Sequence, residues 1–227
     1  MPVHVVQRGN NKQACFFQGK DYAVYLKKLK ACAEKFNVQI HCFVLMTNHV
    51  HLLLQASDYE GISHVMQSLG RYYVRYFNTT YNRTGTLWEG RFKSSLVDSD
   101  EYLLQVYQYI ELNPVRAKMV DHPKDYVWSS YHANGGNKNI AMIEPHSLYL
   151  SLGIDAESRK LAYNRLLDNS LSKELLNKIR LSINKSRVLG DDKFVKQISA
   201  KLERFAGYLE HGGDRRSEEF KEWFQRI

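Results

Sequence analysis

Residues 38–54 read VQIHCFVLMTNHVHLLL, and this stretch decides the predicted fold. Two runs rich in apolar and β-branched side chains, 38–45 and 50–54, are separated by the short segment Met46-Thr47-Asn48. Such a pattern is typical of two antiparallel strands joined by a turn. The stretch therefore predicts a β-hairpin whose second strand begins next to His49.

The sequence on both sides of the hairpin alternates between strand and helix patterns. Residues 3–7 and 91–97 are further strand candidates, and apolar side chains recur at helical spacing in residues 21–36, 62–77 and 100–112. The order is strand, helix, strand, strand, helix, strand, helix, which is the split-βαβ arrangement of ferredoxin-like folds. We therefore predict an α+β fold with an antiparallel sheet and its helices on one face.

A glycine-rich segment divides the chain into two predicted regions. Residues 135–139 (GGNKN) have the composition of a linker, which separates region 1–135 from region 140–227. The second region is predicted to be a helical extension. Its helical stretches are residues 158–169, 172–185 and 192–208, with candidate N-caps at Ser172 and Asp192.

Composition sets broad limits on the class of protein. The chain of 227 residues has a net charge of +8 and a pI near 9.3, and the parts before and after Gly135 each carry +4, so a polyanionic partner is permitted without being required. No run of about 18 apolar residues predicts a membrane-spanning helix, and the first residues do not resemble a signal peptide. Cys15, Cys32 and Cys42 form no CxxC pair, which favours a reducing cytoplasm over disulfide bonds.

His49-Val50-His51 is the first candidate for chemistry. Residues two apart on a strand project to the same face with Cα atoms roughly 6.6–7 Å apart, so two imidazoles can reach one ion at about 2.0–2.1 Å. Val50 would then face the opposite side and pack under the helices. Two polar residues on a solvent-exposed sheet face would explain the same pattern, and this alternative stays open.

The candidate nucleophile is Tyr109, on the helix predicted at residues 100–112. A phenol has a pKa near 10, so its use at neutral pH costs roughly 4 kcal/mol unless a base or a cation assists. Asn113 lies four residues later on the same predicted face, where its amide oxygen could complete the coordination of an ion. Tyr102 is the second candidate nucleophile. Aromatic packing for Tyr109 and a helix cap before Pro114 for Asn113 are the alternatives.

These candidates lie in motifs that resemble a known family. Residues 46–54 (MTNHVHLLL) and 109–117 (YIELNPVRA) are similar to motifs of the REP-associated tyrosine transposases, in the single-tyrosine branch of the HUH single-strand transposase superfamily. Residues 7–10 (QRGN), 85–94 (GTLWEGRFKS) and 128–131 (WSSY) also look like that family. The resemblance extends over residues 3–131 and makes region 1–135 an HUH-type catalytic domain.

The resemblance implies a bacterial, nucleoid-associated enzyme that nicks and transfers single-stranded DNA at hairpin-forming, REP-like palindromes. It implies that His49 and His51 hold a Mg²⁺ or Mn²⁺ ion, with Asn113 at the position of a polar third ligand. It further implies that Tyr109 attacks a phosphodiester to give a 5′-phosphotyrosine link and a free 3′-hydroxyl. A monomer and a homodimer both remain open, and no membrane partner is expected.

Basic and aromatic side chains alternate along residues 71–76 and continue to residue 93, as in proteins that bind single strands by a cationic groove and stacking platforms. Arg116 follows the Asn-Pro turn, where a cation suits a phosphate. The predicted DNA-contacting residues are Arg8, Asn10, Arg71, Arg75, Trp88, Arg91, Lys93 and Arg116. Aromatic side chains in the core with solvated arginines would be the alternative.

Region 140–227, with its cationic residues 212–216 (GGDRR), has three possible roles: an accessory DNA-binding region, a cover over the catalytic domain, or a contact with a second copy.

Three other functions also stay open for the whole chain. They are an inactive protein that only binds DNA hairpins, a replication initiator or relaxase of the HUH type, and a metal phosphohydrolase in which water attacks and Tyr109 is structural.

Overall fold

The computed structural model describes residues 1–58 and 60–202, and their elements follow the predicted order. The strands are β1 (Pro2–Arg8), β2 (Val38–Met46), β3 (His49–Ala56) and β4 (Lys93–Leu96). The first four helices are α1 (Gly19–Lys35), α2 (Gly61–Thr80), α3 (Ser99–Glu111) and α4 (Asn113–Arg116). The later helices are α5 (Tyr131–Asn134), α6 (Ser147–Leu150), α7 (Ala156–Asp168), α8 (Lys173–Asn184) and α9 (Asp192–Leu202).

The four strands form one antiparallel sheet in the order β2-β3-β1-β4. Met46 pairs with His49, so the hairpin turn contains only Thr47 and Asn48. On the other side of β3, His51 is opposite Val6 and His49 is opposite Arg8 of β1. The predicted ferredoxin-like, antiparallel α+β fold is thereby confirmed.

Helices cover both faces of this sheet. Val5, Val50 and Leu52 point to the first face and pack in the core with α1 and α2, as predicted for Val50. Cys42 and Leu53 point to the second face and pack against α3. The prediction of helices on one face only was therefore wrong. Helix α3 buries apolar side chains around most of its circumference, because it packs between the second face of the sheet and the helices of the C-terminal extension.

Two helix boundaries also differ from the sequence prediction. Helix α3 ends at Glu111, and Asn113 begins a separate short helix, α4, in which Pro114 occupies an early position where its missing N–H costs nothing. The predicted cap Ser172 accepts a hydrogen bond from the Leu175 amide, which confirms it. For α9 the cap is Asp191, whose carboxylate accepts from the Phe194 amide, and Asp192 is already helical.

Helices of the C-terminal extension share a core with α3. Tyr149, Tyr163, Leu167 and Ile179 belong to the same buried cluster as Tyr107 of α3. The division of the chain near residue 135 remains a prediction, and residues 203–208 and 212–216, for which helix and DNA-contact roles were predicted, lie outside the described residues. Within the described ranges, the helices are too short or too polar to cross a lipid bilayer.

A buried carboxylate at the end of α3 joins these layers. The Glu111 side chain is fully buried and accepts hydrogen bonds from Ser130 Oγ (2.5 Å), Asn134 Nδ2 (2.8 Å) and Tyr163 Oη (2.7 Å). Burial raises the pKa of Glu111 above its ordinary value of 4.5, although these hydrogen bonds act in the opposite direction. The last turn of α3 is thus fastened to α5 and α7.

The raised pKa of Glu111 generates a prediction about pH and stability. The pKa of Glu111 is higher in the folded than in the unfolded state. Its contribution to the free energy of unfolding is therefore complete below about pH 4.5 and is lost as the pH rises through the folded-state pKa. Glu111→Gln does not titrate, so the free energy of unfolding of the wild type should fall relative to that of this variant between pH 5 and pH 8. Urea denaturation at both pH values measures the difference, with Glu101→Gln, an exposed carboxylate of α3, as control. A pH-independent difference for Glu111→Gln would contradict the prediction.

Candidate active site

The two predicted metal ligands lie at the start of β3 and on the sheet face covered by α3. The ring centroids of His49 and His51 are 5.0 Å apart with an interplanar angle of 77°. His51 is only 4% exposed, whereas His49 is half-buried. The alternative of two polar residues on a solvent-exposed face therefore does not describe His51.

Each of these imidazoles uses its Nδ1 in a hydrogen bond. His49 Nδ1 lies 2.7 Å from Oδ1 of Asn48, and His51 Nδ1 lies 2.9 Å from Nε2 of His4. Within the described residues, neither Nε2 of this pair has a protein hydrogen-bond partner. Both rings thus keep the nitrogen that a metal ion would require.

His4 is a residue that the sequence reasoning missed. It lies on β1 opposite Leu53, diagonal to His51 on the same sheet face, and is 1% exposed. Its ring stacks on His51 with centroids 5.1 Å apart. The available signal was its period-2 position in the strand predicted at residues 3–7, but only the strand register shows which histidine it meets.

Helix α3 brings the Tyr109 ring to the same place. Its centroid lies 5.8 Å from that of His51 and 5.8 Å from that of His4, with both pairs in edge-to-face geometry. Tyr109 is 6% exposed. Helix α3 therefore brings this phenol ring against His51 of β3 and His4 of β1, two residues far from it in sequence.

Arg116 of α4 packs over the Tyr109 ring. Its guanidinium carbon lies 4.4 Å from the centroid of the Tyr109 ring, and its Nη2 donates to the Tyr109 carbonyl oxygen. The pKa of Arg116 is lowered to about 10, mainly by burial; Tyr109 acts in the opposite direction, and the Arg180 cation of α8 contributes to the lowering. Arg116 remains a cation at neutral pH.

Burial also keeps the histidines neutral. It lowers the pKa of His4 to about 3 and that of His49 to about 4, with the Arg8 cation adding to the effect on His49. The pKa of His51 lies well below its ordinary value because of burial and the neighbouring His4. At neutral pH each ring therefore has one unprotonated nitrogen, as metal ligation requires.

Asn113 is less closely tied to this group. It is half-buried at the start of α4, beyond the break after α3, and in the described residues its side-chain amide forms no hydrogen bond. Across those residues no group of three or more His, Cys, Asp or Glu side chains is arranged to hold a metal ion. The predicted ligand set of two imidazoles and one amide includes only two side chains of these four types. This set is compatible with a Mn²⁺- or Mg²⁺-type ion whose remaining ligands are water molecules. The ligand role of Asn113 remains a prediction.

The other tyrosines of α3 point elsewhere. Tyr102, the second candidate nucleophile, accepts a hydrogen bond from the Lys178 ammonium of α8. Tyr107 is fully buried and packs with Tyr149 and Tyr163. Of the three tyrosines, Tyr109 is the one in contact with the histidines.

Two predicted DNA-contacting cations share the sheet face of the histidines. Arg8 is directly opposite His49, and Lys93 is opposite Val6 in the row of His51. Both are exposed, and in the described ranges no carboxylate forms an ion pair with either of them or with Arg116. These three cations therefore leave positive charge available next to the imidazoles.

Two other predicted contacts lie at the end of the sheet where β1 ends and β4 begins. Asn10 begins a short 3₁₀ turn (Asn10–Lys12) after β1, and its backbone N–H donates to the Leu87 carbonyl oxygen. Arg91 is exposed just before β4. Their roles remain predictions.

The remaining three predicted contacts are placed differently. Trp88 is 5% exposed and packs in the core against Tyr25 and Tyr73, so the prediction of an exposed stacking platform was wrong. Arg71 and Arg75 are exposed on α2, which covers the sheet face opposite to the histidines. They form a separate surface, and their contact with DNA remains a prediction.

The packing of Arg116 on Tyr109 generates a stability prediction. Arg116→Met removes a charged hydrogen-bond donor and a cation–π contact while keeping most of the side-chain length, so the free energy of unfolding should fall by about 1–3 kcal/mol. The matched control Arg75→Met, on the exposed side of α2, should change it by less than about 0.5 kcal/mol. Urea denaturation compares the two variants, and equal effects would mean that the Arg116 contact contributes nothing.

Comparison with known proteins links this chain to the transposases, a class of DNA-processing proteins. Residues 1–113 match the family described as IS200-like transposases, and this range contains His49, His51 and Tyr109. The matched range is just under half of the chain, and the resemblance to REP-associated tyrosine transposases is confirmed.

Individual relatives are distant. A Haemophilus influenzae protein described as a REP-associated tyrosine transposase is 27% identical over 114 residues, which are 45% of this chain and 64% of that protein, so the match spans less than two thirds of its length. A solved REP-associated tyrosine transposase bound to a REP hairpin has a TM-score of 0.45 at 15% identity and covers 64% of this chain and 91% of its own. A Deinococcus radiodurans transposase has a TM-score of 0.38 at 19% identity and covers 49% and 88%.

Proposed function

We propose that this protein is a metal-dependent transposase that nicks and rejoins single-stranded DNA with Tyr109 as the nucleophile. The observation that carries the proposal is the contact of the Tyr109 ring with the His51 ring, at 5.8 Å, beside the cation of Arg116. Binding alone requires neither a phenol next to paired imidazoles nor free Nε2 atoms. The arrangement favours covalent catalysis over a role limited to holding DNA.

His49 and His51 would hold the metal ion through their Nε2 atoms, with the Asn113 amide oxygen as a third donor. When bound, a divalent cation such as Mg²⁺ or Mn²⁺ withdraws charge from the scissile phosphate. The hydrogen bonds on the Nδ1 atoms keep both rings oriented towards this position. The neutral state of both rings leaves their Nε2 lone pairs available.

In the proposed reaction, the Tyr109 phenol oxygen forms a bond to phosphorus and loses its proton to solvent. The bond between phosphorus and the 3′ oxygen breaks, and that oxygen takes a proton to become a free 3′-hydroxyl. The 5′ side stays attached to Tyr109 as a phosphotyrosine. Attack by a 3′-hydroxyl on this link reverses the step and joins the strands. Arg116, which contacts the Tyr109 ring, supplies positive charge at the position that the scissile phosphate would occupy.

For the substrate we propose single-stranded DNA next to a REP-like hairpin; the solved REP-associated tyrosine transposase is bound to a REP hairpin. Arg8 and Lys93 would contact the backbone of the strand at the site, because they share the histidine face and lack acidic partners. Arg91 and Asn10 would extend this contact along the same end of the sheet. We keep a monomer and a homodimer as the possible states of the active protein.

A covalent-adduct experiment tests the nucleophile. Wild-type protein incubated with a hairpin oligonucleotide and Mn²⁺ should give a species on a denaturing gel that contains both protein and DNA. Tyr109→Phe should abolish it, because the attacking oxygen is gone, while the control Tyr102→Phe on the same helix should retain it. A mobility shift without any adduct would support the inactive hairpin-binding protein instead. Cleavage that persists in Tyr109→Phe would indicate attack by water.

The two basic surfaces give a second prediction. Arg8→Ala and Lys93→Ala should each weaken binding of a short single-stranded oligonucleotide, and each should reduce the slope of log affinity against log salt by about 0.7, the value for one phosphate contact. Arg75→Ala should change both quantities less than either variant, because Arg75 lies on the other side of the sheet from the histidines. Fluorescence anisotropy at several salt concentrations measures them. A stronger effect of Arg75→Ala would move the single-strand path to α2.

A further inference from the structure

We propose that Asn48 and His4 are positioning residues that fix the tautomers of the two metal-binding imidazoles, so that the proton sits on Nδ1 and Nε2 faces the ion. This inference rests on the metal site of the proposed function and extends it to two residues that do not touch the metal. The two partners come from different elements, the hairpin turn and β1, and each engages one ring.

For His49 the hydrogen-bond network alone determines the tautomer. Asn48 Nδ2 donates to the Lys12 carbonyl oxygen at 3.0 Å, which fixes which end of the Asn48 amide is nitrogen. The other end, Oδ1, is an acceptor and lies 2.7 Å from His49 Nδ1. His49 Nδ1 must therefore carry the hydrogen, since an amide oxygen cannot donate. The lone pair of the ring is then on Nε2.

For His51 the partner is another imidazole. Nε2 of His4 and Nδ1 of His51 lie 2.9 Å apart, and the two residues are 1% and 4% exposed, so water does not compete for this bond. A neutral imidazole has one N–H and one lone pair, so one ring must donate to the other. Donation by His4 would leave the His51 hydrogen on Nε2 and block metal ligation. Donation by His51 leaves Nε2 free, and this is the assignment we propose.

The position of His4 explains why this partner is rigid. It lies on β1, which pairs with β3 on one side and with β4 on the other, so its backbone is held from both sides. Its ring stacks on His51 and meets the edge of Tyr109. A single β1 side chain therefore contacts both the metal-binding ring and the nucleophile ring. Asn48 is anchored as well, since the Gly9 amide donates to its carbonyl oxygen at 2.8 Å.

Outer-shell partners of this kind typically contribute 10–100-fold to metal affinity or activity. His4→Phe keeps a flat ring but removes the acceptor, so it should lower the Mn²⁺ affinity by about that factor. His4→Gln restores a carbonyl oxygen that can accept from His51 and should recover most of the affinity. His41→Phe is the matched control, because His41 is also 1% exposed and hydrogen-bonded but its partner is the Glu144 carbonyl, away from the site.

Isothermal titration with Mn²⁺ alone measures these affinities in the full chain. Asn48→Ala and Asn48→Asp provide an independent pair in the hairpin turn: the first removes the acceptor and should weaken binding, whereas the second keeps an acceptor and should not. The proposal is overturned if folded His4→Phe binds Mn²⁺ no more weakly than His41→Phe. If His4→Phe does not fold, wild-type affinity in Asn48→Ala overturns it instead.

A spectroscopic readout examines the tautomers without any metal. Long-range ¹H–¹⁵N correlation spectra of protein labelled at histidine distinguish Nδ1–H from Nε2–H rings. We expect His49 to be Nδ1–H in the metal-free protein, and an Nε2–H ring would contradict the inference. Failure of the proposed function is distinguishable: Mn²⁺ binding that depends on His4 without any Tyr109 adduct would remove the transposase chemistry but keep the positioning role. A wild-type protein that binds no Mn²⁺ would overturn both.

Discussion

The register of β3 between β2 and β1 is the constraint on which the site depends. Because side chains alternate between the two faces of a strand, a shift by one residue would move every side chain of β3 to the other face. The two-residue turn at Thr47 and Asn48 sets Met46 opposite His49, and β1 sets Val6 opposite His51. The apolar face of Val50 and Leu52, packed under α1 and α2, makes any other register costly. The histidines are thus directed to the α3 side by the core on the opposite side.

Covering that second face with a helix has its own consequence. Polar groups placed between the sheet and α3 lose water and need protein partners, since an unpaired buried group costs about 1–3 kcal/mol. The partners present are His4 for His51, Arg116 for the Tyr109 carbonyl, and four donors for Glu111, which are Cys42, Ser130, Asn134 and Tyr163. The same burial that makes these bonds necessary keeps the imidazoles neutral. Burial between the sheet and α3 therefore explains both the hydrogen bonds of these groups and the neutral imidazoles that metal binding requires.

The sequence predicted the features that depend on local pattern. Alternation placed His49 and His51 on one face with Val50 on the other, and helical spacing located α1, α2 and α3 to within a few residues. Pro114 was interpreted as the end of a helix, although proline is equally compatible with the first turn of a new one, and this is its position in α4. Local pattern could not distinguish these two cases.

Features that depend on contacts between distant segments were not predictable in this way. Apolar residues at helical spacing show that a helix has a buried face, but not that α3 is covered by the sheet on one side and by α6 and α7 on another. Trp88 next to arginines suggested a stacking platform, yet the ring fills a space between Tyr25 and Tyr73. His4 shows no motif of its own, because its partner lies 47 positions away. In each case the deciding neighbour comes from another element.

The extension beyond the family match completes the support of α3. At the first turns of α3, Tyr102 is bound by Lys178 of α8. Next to β4, the Leu189 backbone amide donates to the Leu96 carbonyl oxygen, and the Leu189 carbonyl oxygen accepts a hydrogen bond from the Asp98 backbone amide. These bonds also occupy part of the β4 edge, which would otherwise expose unpaired backbone groups. At its last turn, Glu111 is held by donors that include Tyr163 of α7. Tyr109 lies between these two attachments, so the helix that carries it is held at both ends by residues beyond the matched range. The extension is therefore part of what forms the site, whatever else it binds.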